Sequence, residues 1–429
     1  MGVTFFWFRR DLRLSDNAAL FHALSENQQV IPLFIFDANI IEELPKDDAR
    51  ISFIYEQLHA INEALQKVGS SLLVLKGKPK DVWQKIISEY KVKNIYFNKD
   101  YEPYAITRDK EINGLAQKNN IVVFSYKDQV IFEENDILKD DGTPYTIYTP
   151  YKNKWLNIFT SNLYETQKSE NHLANLAKKY FEFPSLAALG FKTSSIKVKP
   201  YTLANLENYE AERNFPAIDS TSYLSPHLRF GTVSIRNMVK QSLEKSPVFL
   251  SELIWREFFM QIIFHFPQVV NKSFKAKYDH ITWRNNEKEF ALWCEGKTGY
   301  PMVDAGMRQL NETGYMHNRV RMVVASFLCK HLLIDWRWGE AYFAKKLLDY
   351  DLSANNGNWQ WAAGTGCDAA PYFRVFNPYE QVKKFDPNLK YISTWVKDLN
   401  ELSYPNPIVE HKFARERAIA TYKKGLESA

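Results

Sequence analysis

Cysteine is scarce in this chain of 429 residues, and the three that occur, Cys294, Cys329 and Cys367, stand far apart. An odd number at such spacing supports neither a disulfide framework nor a structural zinc site. No apolar run is long enough to span a membrane. The opening residues 1–10 carry their charges after the apolar run, unlike a signal peptide. We therefore expect a soluble, cytoplasmic protein without a metal site.

Several catalytic and nucleotide-binding patterns are also missing. Neither G-x-G-x-x-G nor a P-loop follows the first apolar run, so no nucleotide is indicated there. The chain has no H-E-x-x-H pair and no Ser-His-Asp order. If the protein is an enzyme, its chemistry belongs to a cofactor.

Aromatic residues, by contrast, are abundant: they make up 15% of the chain, with 11 Trp, 24 Tyr and 29 Phe. They indicate either a helical core filled with rings or surfaces for stacking and electron transfer. The net charge of +5 permits a nucleic-acid partner but does not require one.

The hydrophobic pattern divides the chain. Its length exceeds the size at which one core usually splits, so we expect two domains. Short continuous apolar runs in the first third alternate with amphipathic stretches, which predicts a doubly wound parallel α/β sheet. The runs are Val3–Phe8, Val30–Asp37, Ser71–Leu75, Asn94–Phe97 and Ile121–Ser125. We assign residues 1–130 to this α/β domain, 131–200 to a linker and 201–429 to an all-α domain.

Within the all-α domain, spacings of three and four predict helices over Ser246–Phe266, Tyr300–Leu333 and Gly339–Asp349. Glu252 and Trp255 share one face of the first of these helices. Asn318, Arg321 and Met322 share a face of the second. These polar groups are either plain structural pairs, for example with Asp349 or Asp351, or parts of a binding site.

The densest mixture of acids, amides, Trp and Arg runs through residues 349–361 and 368–378. Buried amides and carboxylates are costly unless each finds a partner. Because Trp is usually largely buried, a fully solvated loop is disfavoured. The stretch is therefore consistent with a site for a polar, aromatic ligand.

At this point the residues resemble a known family, that of the DNA photolyases and cryptochromes. The motifs are Trp7-Phe-Arg-Arg-Asp-Leu-Arg-Leu-Ser-Asp-Asn17, Glu252-Leu-Ile-Trp-Arg-Glu-Phe258, Gly296-Lys-Thr-Gly-Tyr-Pro301, Met316-His-Asn-Arg-Val-Arg-Met322, the whole block 349–378 and Tyr404-Pro-Asn-Pro-Ile-Val-Glu-His-Lys412. They cover nearly the full chain in the same order. The chain is most similar to class I cyclobutane pyrimidine dimer (CPD) photolyases.

The resemblance implies a light-dependent lyase in which excited reduced FAD passes an electron to a pyrimidine dimer in DNA. Its alternatives are a (6-4) photolyase and a cryptochrome-type blue-light sensor. Asn318 stands where (6-4) enzymes have a second His, which disfavours that substrate. The chain also ends soon after its last matching motif, whereas sensors often continue, so we expect repair and not signalling. We also expect a monomer that binds UV-damaged DNA.

The resemblance also implies residue roles. Catalytic contacts with the dimer and flavin fall to Glu252, Trp255, Asn318, Met322 and Trp361. An electron relay to FAD falls to Trp359, Trp336 and Trp283. FAD binding falls to Tyr209, Thr221, Ser222, Tyr223, Leu224, Ser225, Arg321, Asp349, Tyr350, Asp351 and Asn355, with Asn355 facing flavin N5. DNA binding falls to Arg213, Glu252, Trp255, Asn318, Arg319, Arg374 and Gln381.

An antenna chromophore is implied for the first domain. Folate-binding relatives have an Asn-Glu pair where this chain has Tyr104 and Ala105, which disfavours folate. Asp100 and Arg50 stand where deazaflavin-binding relatives have like residues. We expect a deazaflavin, with FMN, folate or an empty pocket as alternatives.

Overall fold

A computed structural model describes residues 2–428 of the chain. The chain forms two compact units, each built from several segments. The first consists of Met1–Ile137, Trp155–Tyr201 and Tyr223–Lys245, and the second of Leu138–Lys154, Thr202–Ser222 and Ser246–Ala429. Met1 and Ala429, the outer ends of the predicted domains, lie outside the described residues. The predicted ranges 1–130, 131–200 and 201–429 stay a prediction.

The first unit is organised by a parallel sheet of five strands in the order β3-β2-β1-β4-β5. The strands are β1 (Val3–Phe8), β2 (Val30–Asp37), β3 (Leu73–Gly77), β4 (Val92–Asn98) and β5 (Val122–Tyr126). Phe6 and Phe8 pack into one core cluster, whereas Phe5 and Trp7 pack into another. This alternation buries both faces of β1, which explains its continuous apolar sequence and confirms the predicted doubly wound sheet.

Helices connect and follow the strands of this unit. They are α1 (Ala18–Glu26), α2 (Ala38–Ile41), α3 (Ala49–Gln66), α4 (Pro79–Glu89) and α5 (Pro103–Lys118). Next in the chain come α6 (Tyr148–Ile158), which runs across the division between the units, α7 (Tyr209–Glu212) of the second unit, and α8 (Leu224–Phe230) and α9 (Ile235–Lys245) of the first. Residues 184–200 contain neither helix nor strand, yet Leu189 and Phe191 are buried in the core beside the sheet.

The remainder of the second unit is helical, as predicted, and residues 127–428 contain only isolated bridges besides helices and loops. Its further helices are α10 (Pro247–His265), α11 (Glu287–Glu295), α12 (Pro301–Thr313), α13 (Asn318–Ser326), α14 (Trp336–Lys346), α15 (Leu352–Ala363), α16 (Pro378–Phe385), α17 (Lys390–Trp395) and α18 (His411–Glu427). The largest core cluster of this unit surrounds Trp293, Trp336 and Trp359.

The prediction of one continuous helix over Tyr300–Leu333 is wrong. Helix α12 ends at Thr313 and is capped by Gly314, whose φ of 70° lies in the left-handed region that glycine adopts without strain. Helix α13 then begins after His317, whose side chain caps it by accepting from the Arg319 N–H. A π-helical turn, Phe327–His331, follows. The break sets Asn318 and Arg319 in the first turn of a new helix.

Candidate active site

Helix α10 presents the first candidate residues. Ser246 caps it by accepting from the Phe249 N–H, and Pro247 occupies its first position. Most of the helix is buried, but Glu252 and Trp255 are only half-buried. An acid and an indole on one partly exposed face of a buried helix can meet a ligand with both hydrogen bonds and stacking.

Glu252 is paired with Arg213, whose Nη1 lies 2.6 Å from the Glu252 Oε1. Within this pair, 33% of the Glu252 side chain and 23% of the Arg213 side chain are exposed. Burial alone would lower the pKa of Arg213, but Glu252, Tyr209 and Glu210 together outweigh it and raise that pKa. The guanidinium also lies 5.2 Å from the ring centre of Tyr209, and burial with the Glu252 charge raises the pKa of Tyr209 to about 12. The pair is therefore accessible to solvent, and Arg213 stays charged within it.

Trp255 is stacked on a residue that sequence reasoning missed. Tyr148, at the start of α6, lies with its ring centre 3.6 Å from that of Trp255 and at 10° to it. It falls in the range 131–200 that we assigned to a linker. The only signal was the concentration of Tyr at positions 145, 148 and 151 after the Gly142-Thr-Pro144 turn. That pattern does not say which distant ring they meet.

Helix α13 carries the next group. Asn318 is exposed, and Arg319 and Met322 are half-buried. The Arg319 Nη2 donates to the Asn214 Oδ1 at 2.6 Å, and its guanidinium lies 4.4 Å from the ring centre of Phe385. Burial first, then the nearby charges of Arg213 and Arg374, lower the pKa of Arg319. Arg213 and Arg374 are also predicted phosphate contacts, so their charges act on a third such residue.

Arg321 forms an ion pair with Asp349. The sequence had left open whether Asp349 or Asp351 would be the partner. The Arg321 Nη2 lies 3.0 Å from Asp349 Oδ2, and its Nε donates to the Met316 carbonyl. Asp351 instead caps α15, where its side chain accepts from the Ala354 N–H. Tyr350, between the two acids, packs against the core cluster.

Asn355 is buried in α15 and oriented by α14. Its Nδ2 donates to the Glu340 carbonyl at 3.1 Å and to the Glu340 Oε1 at 2.8 Å. Both amide hydrogens are directed at Glu340, so the Asn355 Oδ1 points away from it. Burial raises the pKa of Glu340. Two residues before Asn355, the buried Ser353 Oγ has no hydrogen-bond partner among residues 2–428.

The tryptophans predicted for the relay and Trp361 all lie in or against one core cluster. Trp336 and Trp359 are buried and Trp283 packs against the same core cluster, as does the half-buried Trp361. Trp359 contacts the rings of Trp293 and Phe343, and Trp283 contacts that of Tyr422 at 5.8 Å.

The segment after α15 carries the remaining predicted DNA contacts. Arg374 is exposed, and the Gln381 Oε1 in α16 is buried without a hydrogen-bond partner in the described part of the chain. The buried Lys330 donates to the carbonyls of Ala363 at 2.8 Å and Tyr372 at 3.2 Å, which ties the end of α15 to this segment. Burial lowers the pKa of Lys330 to about 7.

The predicted FAD run 221–225 crosses from one unit to the other. Thr221 and Ser222 belong to the second unit, where the Ser222 carbonyl accepts from the Thr202 N–H at 2.9 Å. Tyr223, Leu224 and Ser225 belong to the first. Tyr223 has a φ of 52°, precedes α8, and its hydroxyl accepts from Lys199 at 3.0 Å.

In the first unit, charged groups gather where β2 and β4 end. Asp37 accepts from the Tyr104 hydroxyl at 2.6 Å, and Asp100 lies 3.3 Å from Arg10. Arg50 is paired instead with Asp48. Carboxyl ends of parallel strands are where such sheets bind ligands.

No cluster of His, Cys, Asp and Glu suited to a metal occurs among the residues that the structure describes. Likewise, no helix within residues 2–428 is long and apolar enough to cross a membrane.

Two family models match the sequence. One, described as the FAD binding domain of DNA photolyase, matches residues 249–403, and the other, described as DNA photolyase, matches residues 4–171. The chain is 35% identical to a deoxyribodipyrimidine photo-lyase of Synechococcus, with 98% of this chain and 96% of the relative covered.

Two solved structures are also similar. A bacterial class III photolyase from Agrobacterium tumefaciens has a TM-score of 0.88 and 33% identity, covering 100% of this chain and 98% of its own. An archaeal photolyase from Sulfolobus tokodaii, described with two FAD molecules, has a TM-score of 0.82 and 35% identity, covering 98% of this chain and 100% of its own.

Proposed function

The chain belongs to the DNA photolyase family, and from that premise we propose that it splits cyclobutane pyrimidine dimers in DNA under blue light. It is a photo-lyase, as its curated relatives are named, and it uses FAD. The assignment to class I remains a prediction, because one similar structure is of a class III enzyme. The observation that carries the proposal is that Glu252 and Trp255 are half-exposed on one face of α10, with Arg213 paired to Glu252.

The residues of the second unit fit FAD. The buried Ser353 Oγ needs a polar partner, which the cofactor can supply. The Asn355 Oδ1, turned away from Glu340, is a hydrogen-bond acceptor suited to flavin N5, and a neutral amide supplies no proton there. Arg321 and Asp349 hold the chain beside it as an ion pair. When bound, FAD supplies the absorption of light and the electron that reaches the dimer.

The protein's own residues bind and orient the lesion. Glu252 hydrogen-bonds the pyrimidine carbonyls, where negative charge develops, and Asn318 and Met322 contact dimer and flavin. Trp255 and Trp361 stack against the extruded dimer and replace the stacking lost on flipping. Arg213, Arg319, Arg374 and Gln381 hold the phosphates. Trp359, Trp336 and Trp283 would form the relay by which electrons reach bound FAD.

We further propose an antenna chromophore in the first unit, at the carboxyl ends of β2 and β4. Tyr104 donates to Asp37 and occupies the position of the folate-binding amide, which supports a deazaflavin or a second flavin. Chromatography of the chromophores released by denaturation, from cells that make deazaflavin, tests this choice. Release of folate would contradict it.

The proposed repair is tested with reduced protein and an oligonucleotide that contains a thymine dimer. Blue light should restore the thymine absorbance, and a Glu252→Ala, Trp255→Ala double variant should bind FAD but fail to restore it. Recovery in darkness, or undiminished recovery in the double variant, would contradict the proposed site. No recovery in the wild type with FAD bound would point to a (6-4) lesion or a signalling role.

A further inference from the structure

We propose that Tyr148 is a positioning residue for dimer recognition, because it fixes the indole of Trp255 in the plane on which the extruded pyrimidine stacks. The proposal rests on the function proposed above, which assigns Trp255 to the dimer. It extends the site to a residue outside the helices that carry the other contacts.

The first support is that Tyr148 lies along one turn of α10. Its ring is stacked on Trp255 at 3.6 Å, and its hydroxyl is 2.6 Å from both the carbonyl and the Oγ of Ser251. Ser251 and Trp255 are four residues apart and so lie one helical turn, about 5.4 Å, from each other. A tyrosine ring with its hydroxyl spans that distance, so the side chain contacts the helix at both ends.

The second support is that Tyr148 is held from behind. Its backbone N–H donates to the Asp368 Oδ2 at 3.0 Å, and Asp368 belongs to the segment that follows α15. The side chain is buried, with 6% exposed. A residue fixed at its backbone, ring and hydroxyl can impose an orientation on a neighbour that is less constrained.

Trp255 is such a neighbour. It remains half-buried, with the edge of Phe258 against it at 5.6 Å and Phe259 tilted at 5.4 Å. These contacts and the Tyr148 stack hold the indole together, and it cannot turn without losing that stack. Burial and the nearby Glu252 raise the pKa of Tyr148, so it stays neutral beside that acid.

An indole already held in its binding orientation loses less side-chain freedom when DNA arrives. Tyr148 should therefore affect the affinity for dimer-containing DNA and leave the repair of a bound dimer unchanged. A merely structural residue would alter both together, along with the melting temperature.

The test compares Tyr148→Leu, which removes the ring, with Tyr148→Phe, which keeps it. Binding is measured in darkness by fluorescence anisotropy with dimer-containing and undamaged oligonucleotides of one sequence. Aromatic pairing predicts that Tyr148→Leu binds the dimer about fivefold more weakly, with Tyr148→Phe within about twofold of wild type. Repair per bound dimer under saturating protein should equal the wild type in both variants.

Trp255→Ala and the double variant Tyr148→Leu, Trp255→Ala complete a cycle. If Tyr148 acts through Trp255, the double variant binds no more weakly than Trp255→Ala. Tyr180→Leu, at an exposed tyrosine of the other unit, is the matched control and should bind as wild type. Should Tyr148→Leu fold poorly, Asp368→Ala, which removes only the backbone anchor, tests the same effect.

Two failures are distinguishable. If Trp255→Ala binds the dimer as tightly as wild type, the proposed function has assigned the wrong residue. If Trp255→Ala weakens binding but Tyr148→Leu does not, or if the two losses are fully additive, the role of Tyr148 is overturned.

Discussion

Two groups of arginines and acids, one in each unit, have the same kinds of side chain but differ in how far those side chains are buried. In the first unit, Asp128 accepts from Arg13 at 2.6 Å, from Arg236 at 2.7 Å and from the Ala18 N–H, and Arg236 also bonds Asp16. These side chains are buried, and each acid faces a guanidinium group.

In the second unit, Arg213 and Glu252 stay a quarter to a third exposed, and Arg319 lies among other cations. Charges that are buried and mutually satisfied hold a fold together, because separating them leaves an uncompensated ion. Charges that stay partly exposed remain able to meet an anionic partner, and Arg213 keeps part of its side chain in solvent although it is paired with Glu252. Burial, more than residue type, thus separates the group that holds the fold from the group proposed to bind DNA.

The largest effect should come from breaking the buried group. Asp128→Ala leaves Arg13 and Arg236 without their shared carboxylate and should lower the free energy of unfolding by about 3–5 kcal/mol. Burial alone would raise the pKa of Asp128, but Arg13 and Arg236 outweigh it and lower that pKa. Its contribution is therefore present above the unfolded pKa and is lost as the pH falls through the folded one.

Urea unfolding measures this loss, and Glu56→Ala provides the control. Glu56 pairs with Lys197 at the surface of the same unit, with both side chains about half exposed. Its loss should cost no more than about 1 kcal/mol. Equal effects of the two substitutions would remove the distinction between buried and exposed pairs.

A second experiment sharpens the comparison through His317, a buried residue whose pKa responds to three partly buried arginines. Burial first, then the charges of Arg319, Arg321 and Arg213, lower the pKa of His317 to about 4. A group with a depressed folded pKa stabilises the fold above its unfolded pKa, here about 6.5, and loses that contribution as the pH falls toward 4. The loss amounts to roughly 3 kcal/mol.

His317→Asn keeps a capping acceptor for α13 and removes the titration. Between pH 6.5 and 4, its urea midpoint should fall less than that of the wild type. Parallel profiles would show that His317 does not sense the arginines.

The smallest effect should come from Arg319→Ala. Removing one phosphate contact should weaken binding to damaged and undamaged DNA alike and reduce the salt dependence of log K by about 1. Lys297→Ala, at an exposed surface pair with Glu295, should leave that slope unchanged. A loss confined to damaged DNA would instead give Arg319 a role in reading the lesion.

The sheet could be predicted because its signal is local. The strands β1 and β2 are buried on both faces, so their apolar runs begin and end where the strands do. The helix break at Gly314 was missed although Thr313-Gly314 is a recognisable stop, because the apolar spacing continues on both sides.

The candidate site was predictable only where residues lie on one helix or match a motif. Glu252 and Trp255 are three residues apart on one helix, so their shared face follows from helical geometry. Tyr148 meets Trp255 across more than a hundred residues of chain, and Glu340 meets Asn355 between two helices. Such contacts depend on tertiary packing, which periodicity along the sequence does not encode.

The interleaving of the two units has a consequence for synthesis on the ribosome. Leu176, Leu189, Phe191 and Phe230 pack into the same core as the sheet residues Phe6 and Phe8. This core therefore cannot be completed until the chain has emerged beyond Phe230, although its last strand ends at Tyr126. Residues 138–154 belong to the second unit, and the rest of that unit, from Thr202 onward, is synthesised after them. The nascent chain thus carries an incomplete core beside this sheet for over a hundred residues of elongation, an interval in which chaperones have unburied apolar surface to bind.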